Sequence, residues 1–397
     1  MIVRPPRPVL FIGIATAFSL LGDQALYAVL PIYFSEIDLT PIHVGFILSA
    51  NRWIRLLTNT LAERLTSRYN VPFLLTASLI LGALITIIYA SVTLFPILLL
   101  ARMLWGLCWS FLRQIGIMTS IRSSPDKNIA QVMGYYNGLS RIGSVVGLLI
   151  GGALFDLIGF SPTFILLGIV SLLGVPLGGA SQKKVTPFEK SSSWFGRHGE
   201  SKRRIYGLLS YGFILGCVGS GLIMATLGAI LANIVGSSIP IGGLFIGVAT
   251  LNGFLLAARW IFESLGAPML GALTDRIGPR IGPFIFFSIG TISLFACWSA
   301  SNTVLLSFLI LIFFGCGTTL SAVIAAEAGK RGSKAVALYA SGWDFGAAIG
   351  PLLGWTILEI TFSPNLIFAF GAGFYLIGSF ISGFSLKEKL SYQPNSH

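Results

Sequence analysis

Apolar runs of about 20 residues recur along nearly the whole chain, and this repetition limits the fold more than any other feature. Each run is long enough to cross a hydrocarbon core of about 30 Å as an α-helix. Of the 397 residues, 54% are hydrophobic and only 10% are charged, whereas soluble domains carry about 25% charged residues. A membrane β-barrel would instead show alternating segments of about 10 residues. The sequence therefore predicts an all-α polytopic membrane protein.

The runs predict twelve transmembrane helices, six in each half of the chain. The first six are expected near 9–34, 42–64, 72–92, 95–119, 129–155 and 161–179. The second six are expected near 205–233, 240–270, 281–299, 302–326, 335–359 and 364–385. A polar, basic stretch separates the two sets. We therefore expect an N-terminal half at 1–180, a cytoplasmic linker at 181–204, a C-terminal half at 205–386 and a cytoplasmic tail at 387–397.

The distribution of lysine and arginine predicts the orientation in the membrane. The connections predicted to lie outside, around 35–41, 93–94, 156–160, 234–239, 300–301 and 360–363, contain neither residue, and the alternate connections are basic. The positive-inside rule then places both termini in the cytoplasm. We expect an integral protein of a bacterial inner membrane. The net charge of +12 belongs to these loops, so we expect no nucleic-acid partner.

Asp23 interrupts the first apolar run. A carboxylate in mid-membrane costs about 2.5–3.5 kcal/mol on insertion scales, so it should face a cavity or a partner. A carboxyl group in such a place could take up and release a proton, as a proton-coupled carrier requires. The alternative is that Asp23 pairs with an arginine and fixes helix packing. Gln24 and Tyr27, which follow on the same run, are candidates for the substrate cavity.

Arg102, Arg113 and Arg141 lie deep within apolar runs of the first half. Their excess over Asp23 favours an anionic or zwitterionic substrate, unless some of them extend to the cytoplasmic edge. That alternative fits Arg113 better than Arg102.

The second half carries its own intramembrane charges. Arg259 and Glu263 are four residues apart, so they lie on one helix face and can form a self-neutralised pair or take part in coupling. Asp344, next to Trp343, is the second carboxylate that we expect to function in translocation, and Trp343 is a cavity candidate.

A charged, glycine-bounded stretch between two apolar runs carries the most specific motif. It reads Gly-Ala-Leu-Thr-Asp-Arg-Ile-Gly-Pro-Arg over 271–280, and a degraded copy occupies 63–70. The tripeptide Arg52-Trp53-Ile54 likewise returns as Arg259-Trp260-Ile261. Such internal duplication is typical of two-halved transporters. The motif resembles the cytoplasmic loop signature of the major facilitator superfamily.

This resemblance implies a conformational gate at the loop. Asp275 would complement a helix N-terminus, and Arg276 would pair with an acid such as Glu327, closing the cytoplasmic side. In the first copy Ser67 stands where the motif has aspartate, so we expect a weaker latch there. The full set of gate candidates is Gly271, Asp275, Arg276, Gly278, Arg280, Ser67 and Arg68.

Further motifs resemble the drug–proton antiporter branch of this superfamily. Arg102-x-x-x-Gly106 is similar to the fourth-helix motif, which implies a coupling role for Arg102. The fifth-helix pattern Gly143, Gly147, Gly151 has Leu148 in place of the motif's proline, and this departure weakens the inference of export. Its eleventh-helix counterpart is Gly346, Gly350, Pro351. Small residues at this spacing allow close helix packing, which we expect between the halves.

The resemblance implies a secondary transporter that works by alternating access, with proton-coupled efflux of small amphipathic, drug-like compounds. One alternative is a carrier of an anionic or zwitterionic metabolite. Another is a non-transporting sensor or lipid-handling protein on the same scaffold. We expect no enzymatic activity, no metal site and no cofactor, with the proton gradient as the energy source. The expected partners are a small-molecule substrate and membrane lipid, and the expected state is a monomer.

Overall fold

The computed structural model describes residues 4–124, 128–183, 202–241, 244–263, 281–300, 302–331 and 333–390. It is almost entirely helical, so the predicted all-α membrane fold is confirmed.

The described residues of the first predicted half form seven α-helices. They are α1 (Arg7–Tyr33), α2 (Pro41–Thr66), α3 (Val71–Ser91), α4 (Phe95–Arg122), α5 (Ile129–Ile158), α6 (Phe160–Ser171) and α7 (Gly174–Ser181), with a 3₁₀ turn at Phe34–Ile37 after α1. A proline occupies one of the first two positions of α2, α3 and α4, where its missing N–H costs nothing. The sixth predicted span is thus two shorter helices, α6 and α7.

The second predicted half begins with α8 (Lys202–Leu215), a π-helical segment (Gly216–Ile223) and α9 (Met224–Val235). A hairpin of β1 (Ser238–Ile241) and β2 (Leu244–Gly247) follows. The remaining helices are α10 (Val248–Ile261), α11 (Ile281–Ser299), α12 (Thr303–Lys330), α13 (Ser333–Thr361) and α14 (Leu366–Leu390).

The hairpin corrects the prediction of a helix over 240–270. Its antiparallel strands pair Ser238 with Gly247 and Ile241 with Leu244, so α10 begins only at Val248. The strands are mostly apolar and include Ile239, Ile241, Phe245 and Ile246. A short apolar run has the same hydropathy in a strand and in a helix. Residues 264–270 of the predicted helix lie outside the described residues.

By length and composition, nine of the described helical segments can cross a membrane. They are Arg7–Ile37, Val71–Ser91, Phe95–Arg122, Gln131–Ile158, Phe160–Ser181, Gly207–Val235, Ile281–Ser299, Thr303–Lys330 and Leu366–Gly383. The other predicted spans correspond to α2, α10 and α13.

The chain divides into two compact units. The first comprises Met1–Ser192 and Val235–Trp260, and the second comprises Ser193–Ile234 and Ile261–His397. In the first unit α5 packs along α1, and in the second unit α13 packs along α8 and the π-helical segment. The linker and tail predictions fall largely on residues 184–201 and 391–397, which lie outside the described residues.

Glycines produce both of these close helix pairs. A Cβ at Gly143 would overlap the carbonyl of Ala17, and one at Gly147 would lie 2.7 Å from the carbonyl oxygen of Leu21. In the second unit Gly346 similarly meets the backbone of Phe213. The contacts of Gly143, Gly147 and Gly346 join helices of one unit. A contact between the predicted halves occurs at Gly152 of α5, where a Cβ would overlap the backbone of Ala249 on α10.

Candidate functional site

Asp23 and Arg102 form an ion pair inside the first unit. The Nη1 atom of Arg102 on α4 donates to Oδ1 of Asp23 on α1. Arg102 is fully buried and Asp23 is only 3% exposed. Because a buried charge is tolerated only with a partner, each residue makes the position of the other possible. The structure thus joins two of the four residues that the sequence singled out for coupling, and it gives Asp23 the arginine partner that the packing alternative expected.

Polar and aromatic side chains surround this pair. Nε2 of Gln24 donates to the other carboxylate oxygen of Asp23 at 2.7 Å. The guanidinium carbon of Arg102 lies 5.2 Å from the ring centre of Tyr27 and 5.6 Å from that of Trp105, and Tyr89 of α3 is close enough to interact electrostatically with it. Aromatic rings at this range attract a cation, so they help to hold the guanidinium.

Several hydrogen-bonding atoms of this cluster have no partner among the described residues. They are Nε and Nη2 of Arg102, Nε1 of Trp105 and Oε1 of Gln24. Further polar groups could therefore form hydrogen bonds with the side chains around the charge pair.

Two glycines allow the helices that carry the pair to pack closely against neighbouring helices. A Cβ at Gly22, next to Asp23, would overlap the side chain of Thr86 on α3. A Cβ at Gly106, one turn after Arg102, would lie 2.7 Å from the carbonyl oxygen of Asn51 on α2. Gly106 of the fourth-helix motif is therefore a packing residue between α4 and α2.

A second basic cluster lies where α5 meets α10. The guanidinium carbon of Arg141 is 3.9 Å from the ring centre of Trp260, and that of Arg259 is 5.0 Å from the same ring. Arg113 and Arg141 both act electrostatically on Tyr136. The structure thus brings the cavity candidates Arg141 and Arg259 together at Trp260, whereas Arg113 shares with Arg141 an electrostatic effect on Tyr136.

Close contacts fasten the start of α10 to α5 and α1. The carboxylate of Asp156, near the end of α5, accepts hydrogen bonds from the backbone N–H of Thr250 at 2.7 Å and from its hydroxyl at 2.5 Å. Asn252 is fully buried and donates to the carbonyl oxygen of Ala28 at 2.9 Å. Neither tie was predicted, although Asn252 is a polar residue in an apolar run and so gave a signal.

Three of the predicted coupling and cavity residues, Trp343, Asp344 and Glu263, belong to the second unit. Trp343 and Asp344 lie half-buried on α13, and a Cβ at Gly216 would overlap the carbonyl oxygen of Trp343. Glu263 is half-buried just after α10. Their roles in translocation stay predictions.

Most of the predicted gate lies outside the described residues, namely Gly271, Asp275, Arg276, Gly278 and Arg280. In the first copy, the Ser67 hydroxyl bonds back to the carbonyl oxygen of Arg64 at 2.8 Å, and Arg68 is exposed. The N-cap of α3 is Asn70, whose side chain accepts from the N–H of Phe73. Glu327, the suggested partner of Arg276, forms an ion pair with Arg331 at 2.9 Å.

Comparison with known proteins agrees with these observations. A family model described as Major Facilitator Superfamily matches residues 12–261. An uncharacterised MFS-type transporter of Methanocaldococcus jannaschii is 21% identical over 395 residues, covering 95% of this chain and 97% of that protein. The synaptic vesicular amine transporter of Homo sapiens is 28% identical over 134 residues, covering 33% of this chain and 26% of that protein.

One solved structure shares the fold over almost the full length. It is a bacterial homologue of the human lysosomal transporter Spinster in an inward-facing and occupied conformation. The TM-score is 0.80 with 14% sequence identity, and the match covers 98% of each chain.

Proposed function

Since this chain belongs to the major facilitator superfamily, whose transporters are secondary carriers and not enzymes, we propose that it exports small amphipathic organic compounds in exchange for protons. The observation that carries the proposal is the buried pair of Asp23 and Arg102. Intramembrane ionisable residues mark ion pathways and proton relays. If helix packing were the only role of these positions, apolar side chains would serve there.

The proposed coupling follows from a change in the charge of Asp23, between an ionised and a protonated carboxyl group. With Asp23 ionised, Arg102 is held by the carboxylate, by Tyr27 and by Trp105. A proton on Asp23 removes the charge attraction and frees the guanidinium to take another partner. Substrate and proton can then use the same cluster in turn, while the two halves alternate about a midplane site.

Amphipathic substrates are supported by the aromatic rings of Tyr27 and Trp105 beside Arg102 and by the resemblance to drug–proton antiporters. A vesicular amine transporter matches about a third of the chain, which favours organic amines among the first compounds to be tested. A second candidate is an anionic or zwitterionic metabolite, favoured by the two guanidinium groups beside Trp260.

Everted membrane vesicles that are acidic inside, with a pH-reporting dye, would test the proposal. Cationic drugs, amino acids and organic acids would be added in turn, and one class should release protons from the vesicles. Asp23→Asn should abolish that release, whereas Glu36→Gln, a change at an exposed acid after α1, should leave it intact. Silence of the folded wild-type protein across the panel would contradict the proposal and favour a sensor or lipid-handling role.

A further inference from the structure

A buried amide joins α10 to α1. Nδ2 of Asn252 donates to the carbonyl oxygen of Ala28 at 2.9 Å and to that of Tyr27 at 3.4 Å. Asn252 is fully buried, and all three residues belong to the first compact unit. In sequence, however, α10 lies in the predicted C-terminal half and α1 in the N-terminal half. This amide is therefore a contact that must form and break if the two halves alternate.

Pro31, inside α1, explains why α1 accepts a donor at this turn. A proline has no N–H, so the carbonyl oxygen four residues earlier loses its helical partner. That carbonyl belongs to Tyr27. In a membrane helix, a carbonyl freed by proline is costly unless a neighbouring helix or side chain supplies a donor. Asn252 of α10 supplies it here.

A second attachment of α10 lies at the end of α5. The carboxylate of Asp156 accepts from the backbone N–H of Thr250 at 2.7 Å and from its hydroxyl at 2.5 Å. A Cβ at Gly247 would overlap this carboxylate, so the chain that enters α10 passes directly over it. Asp156 belongs to a connection that is predicted to lie outside, so this attachment is at the outer rim.

Glycines allow the helices to meet between these two attachments. A Cβ at Gly152 of α5 would overlap the carbonyl oxygen of Ala249, and a Cβ at Gly253 of α10 would overlap that of Leu148. Small residues let helix backbones approach closely. At these two points backbone meets backbone, so the contact can form and separate without rearranging a large side chain.

From these contacts we infer that Asn252 is a positioning residue of an outer latch, in which its amide and the carboxylate of Asp156 hold α10 against α1 and α5. The latch is closed when the outer side is closed and is released when that side opens. The ring of Tyr27 lies beside Arg102, and Tyr27 follows Asp23 by one turn, so α10 docks on the helix turn that carries the charge pair. The inference rests on the alternating access of the proposed transporter.

Access of a membrane-impermeant maleimide to Val248→Cys, in intact cells, measures the state of the latch. Val248 is the first residue of α10 and is 1% exposed, so a cysteine there is shielded while the latch is closed. The protein without this cysteine gives the background from the native cysteines, which are buried. Asn252→Leu should raise the labelling rate about fivefold to tenfold, because the closed state loses its amide hydrogen bonds.

Pro31→Ala tests the physical reason for this effect. The new N–H satisfies the carbonyl of Tyr27 whether or not α10 is docked, so Asn252 has less to contribute. In this background, Asn252→Leu should raise the labelling rate only about twofold. An equal rise with and without Pro31 would overturn the positioning role, because a merely structural effect of the leucine would not depend on the proline.

Asp156→Ala is a second measurement, at an exposed residue whose truncation leaves no buried cavity. It should raise the labelling rate of Val248→Cys about threefold to tenfold. Glu36→Ala, at an exposed acid after α1, and Asn233→Leu, at an exposed amide of α9, are the matched controls. Both controls should be labelled at the rate of the parent.

Failure of the latch can be distinguished from failure of proton exchange, because labelling needs neither a substrate nor a gradient. Unchanged labelling of Asn252→Leu or of Asp156→Ala, at wild-type amounts in the membrane, would overturn the inference, and so would an equal rise in the control variants. If labelling rises as expected but no compound moves protons, the latch stands and the proposed exchange falls.

Discussion

Arg102 is a fully buried cation whose charge is met by Asp23, the acid that contacts it among the described residues. Removing one member of a buried pair leaves the other charge uncompensated, which costs about 3–5 kcal/mol, whereas removing both can be nearly neutral. Stability and function should therefore respond differently to the same substitutions at this pair.

We expect Asp23→Asn and Arg102→Gln each to lower the free energy of unfolding by about 3 kcal/mol. The double variant should recover at least half of the summed loss, because neither charge is then stranded. Thermal unfolding in detergent measures this cycle, with Glu36→Gln as the control. Strictly additive losses would show that the contact between these two residues contributes nothing to stability.

At the scale of helices, contact between α1 and α5 depends on glycine. A Cβ at Gly143 would overlap the backbone of Ala17, whereas a Cβ at Gly138 on the same helix would meet nothing within 4 Å. Gly143→Ala should therefore destabilise the protein by about 1–3 kcal/mol through overpacking. Gly138→Ala should be neutral, or stabilising by up to about 1 kcal/mol through helix propensity. Equal melting temperatures of the two variants would contradict this account of α5.

The contact of Asp156 with Thr250 gives a second prediction about helices. The carboxylate accepts from the first turn of α10, where a negative charge also complements the helix dipole. Asp156→Ala should lower stability by about 1–2 kcal/mol, and Thr250→Val should add little once Asp156 is gone. A double-mutant cycle measured by thermal unfolding tests this prediction. Additive losses of stability from the two substitutions would contradict an interaction between Asp156 and Thr250.

For the molecule as a whole, the duplicated loop predicts unequal latches on the cytoplasmic side. Ser67 bonds to the end of its own helix, so it does not replace the charge that Asp275 carries in the second copy. Asp275→Asn should reduce transport several-fold more than Ser67→Ala at equal expression. Initial transport rates in vesicles measure this, and equal losses would refute the asymmetry.

Much of the architecture could be predicted because hydropathy depends on composition over about 20 residues, independently of detailed contacts. The hairpin at 238–247 could not, since its apolar residues suit a strand and a buried helix equally. The break between α6 and α7 was not predicted for a similar reason, because Leu172 and Leu173 continue the apolar run.

The residues of the candidate site could be predicted, and so could a pairing of Asp23 with some arginine, but the identity of that arginine could not. Asp23 and Arg102 are conspicuous as charges in apolar runs, yet they are 79 positions apart, and only packing shows that they meet. Tyr89 gave no signal, since a tyrosine in an apolar run is ordinary. The repeated Arg-Trp-Ile tripeptide also does not fix an environment, because Trp53 is 37% exposed while Trp260 is buried.

The central claim is that the carboxyl group of Asp23 carries the coupled proton. The most direct measurement compares two activities in proteoliposomes, proton-driven accumulation and substrate counterflow, for the wild type, Asp23→Asn and Asp23→Glu. We predict that Asp23→Asn retains counterflow but loses accumulation, and that Asp23→Glu recovers part of it. Accumulation by Asp23→Asn at the wild-type level would contradict the claim.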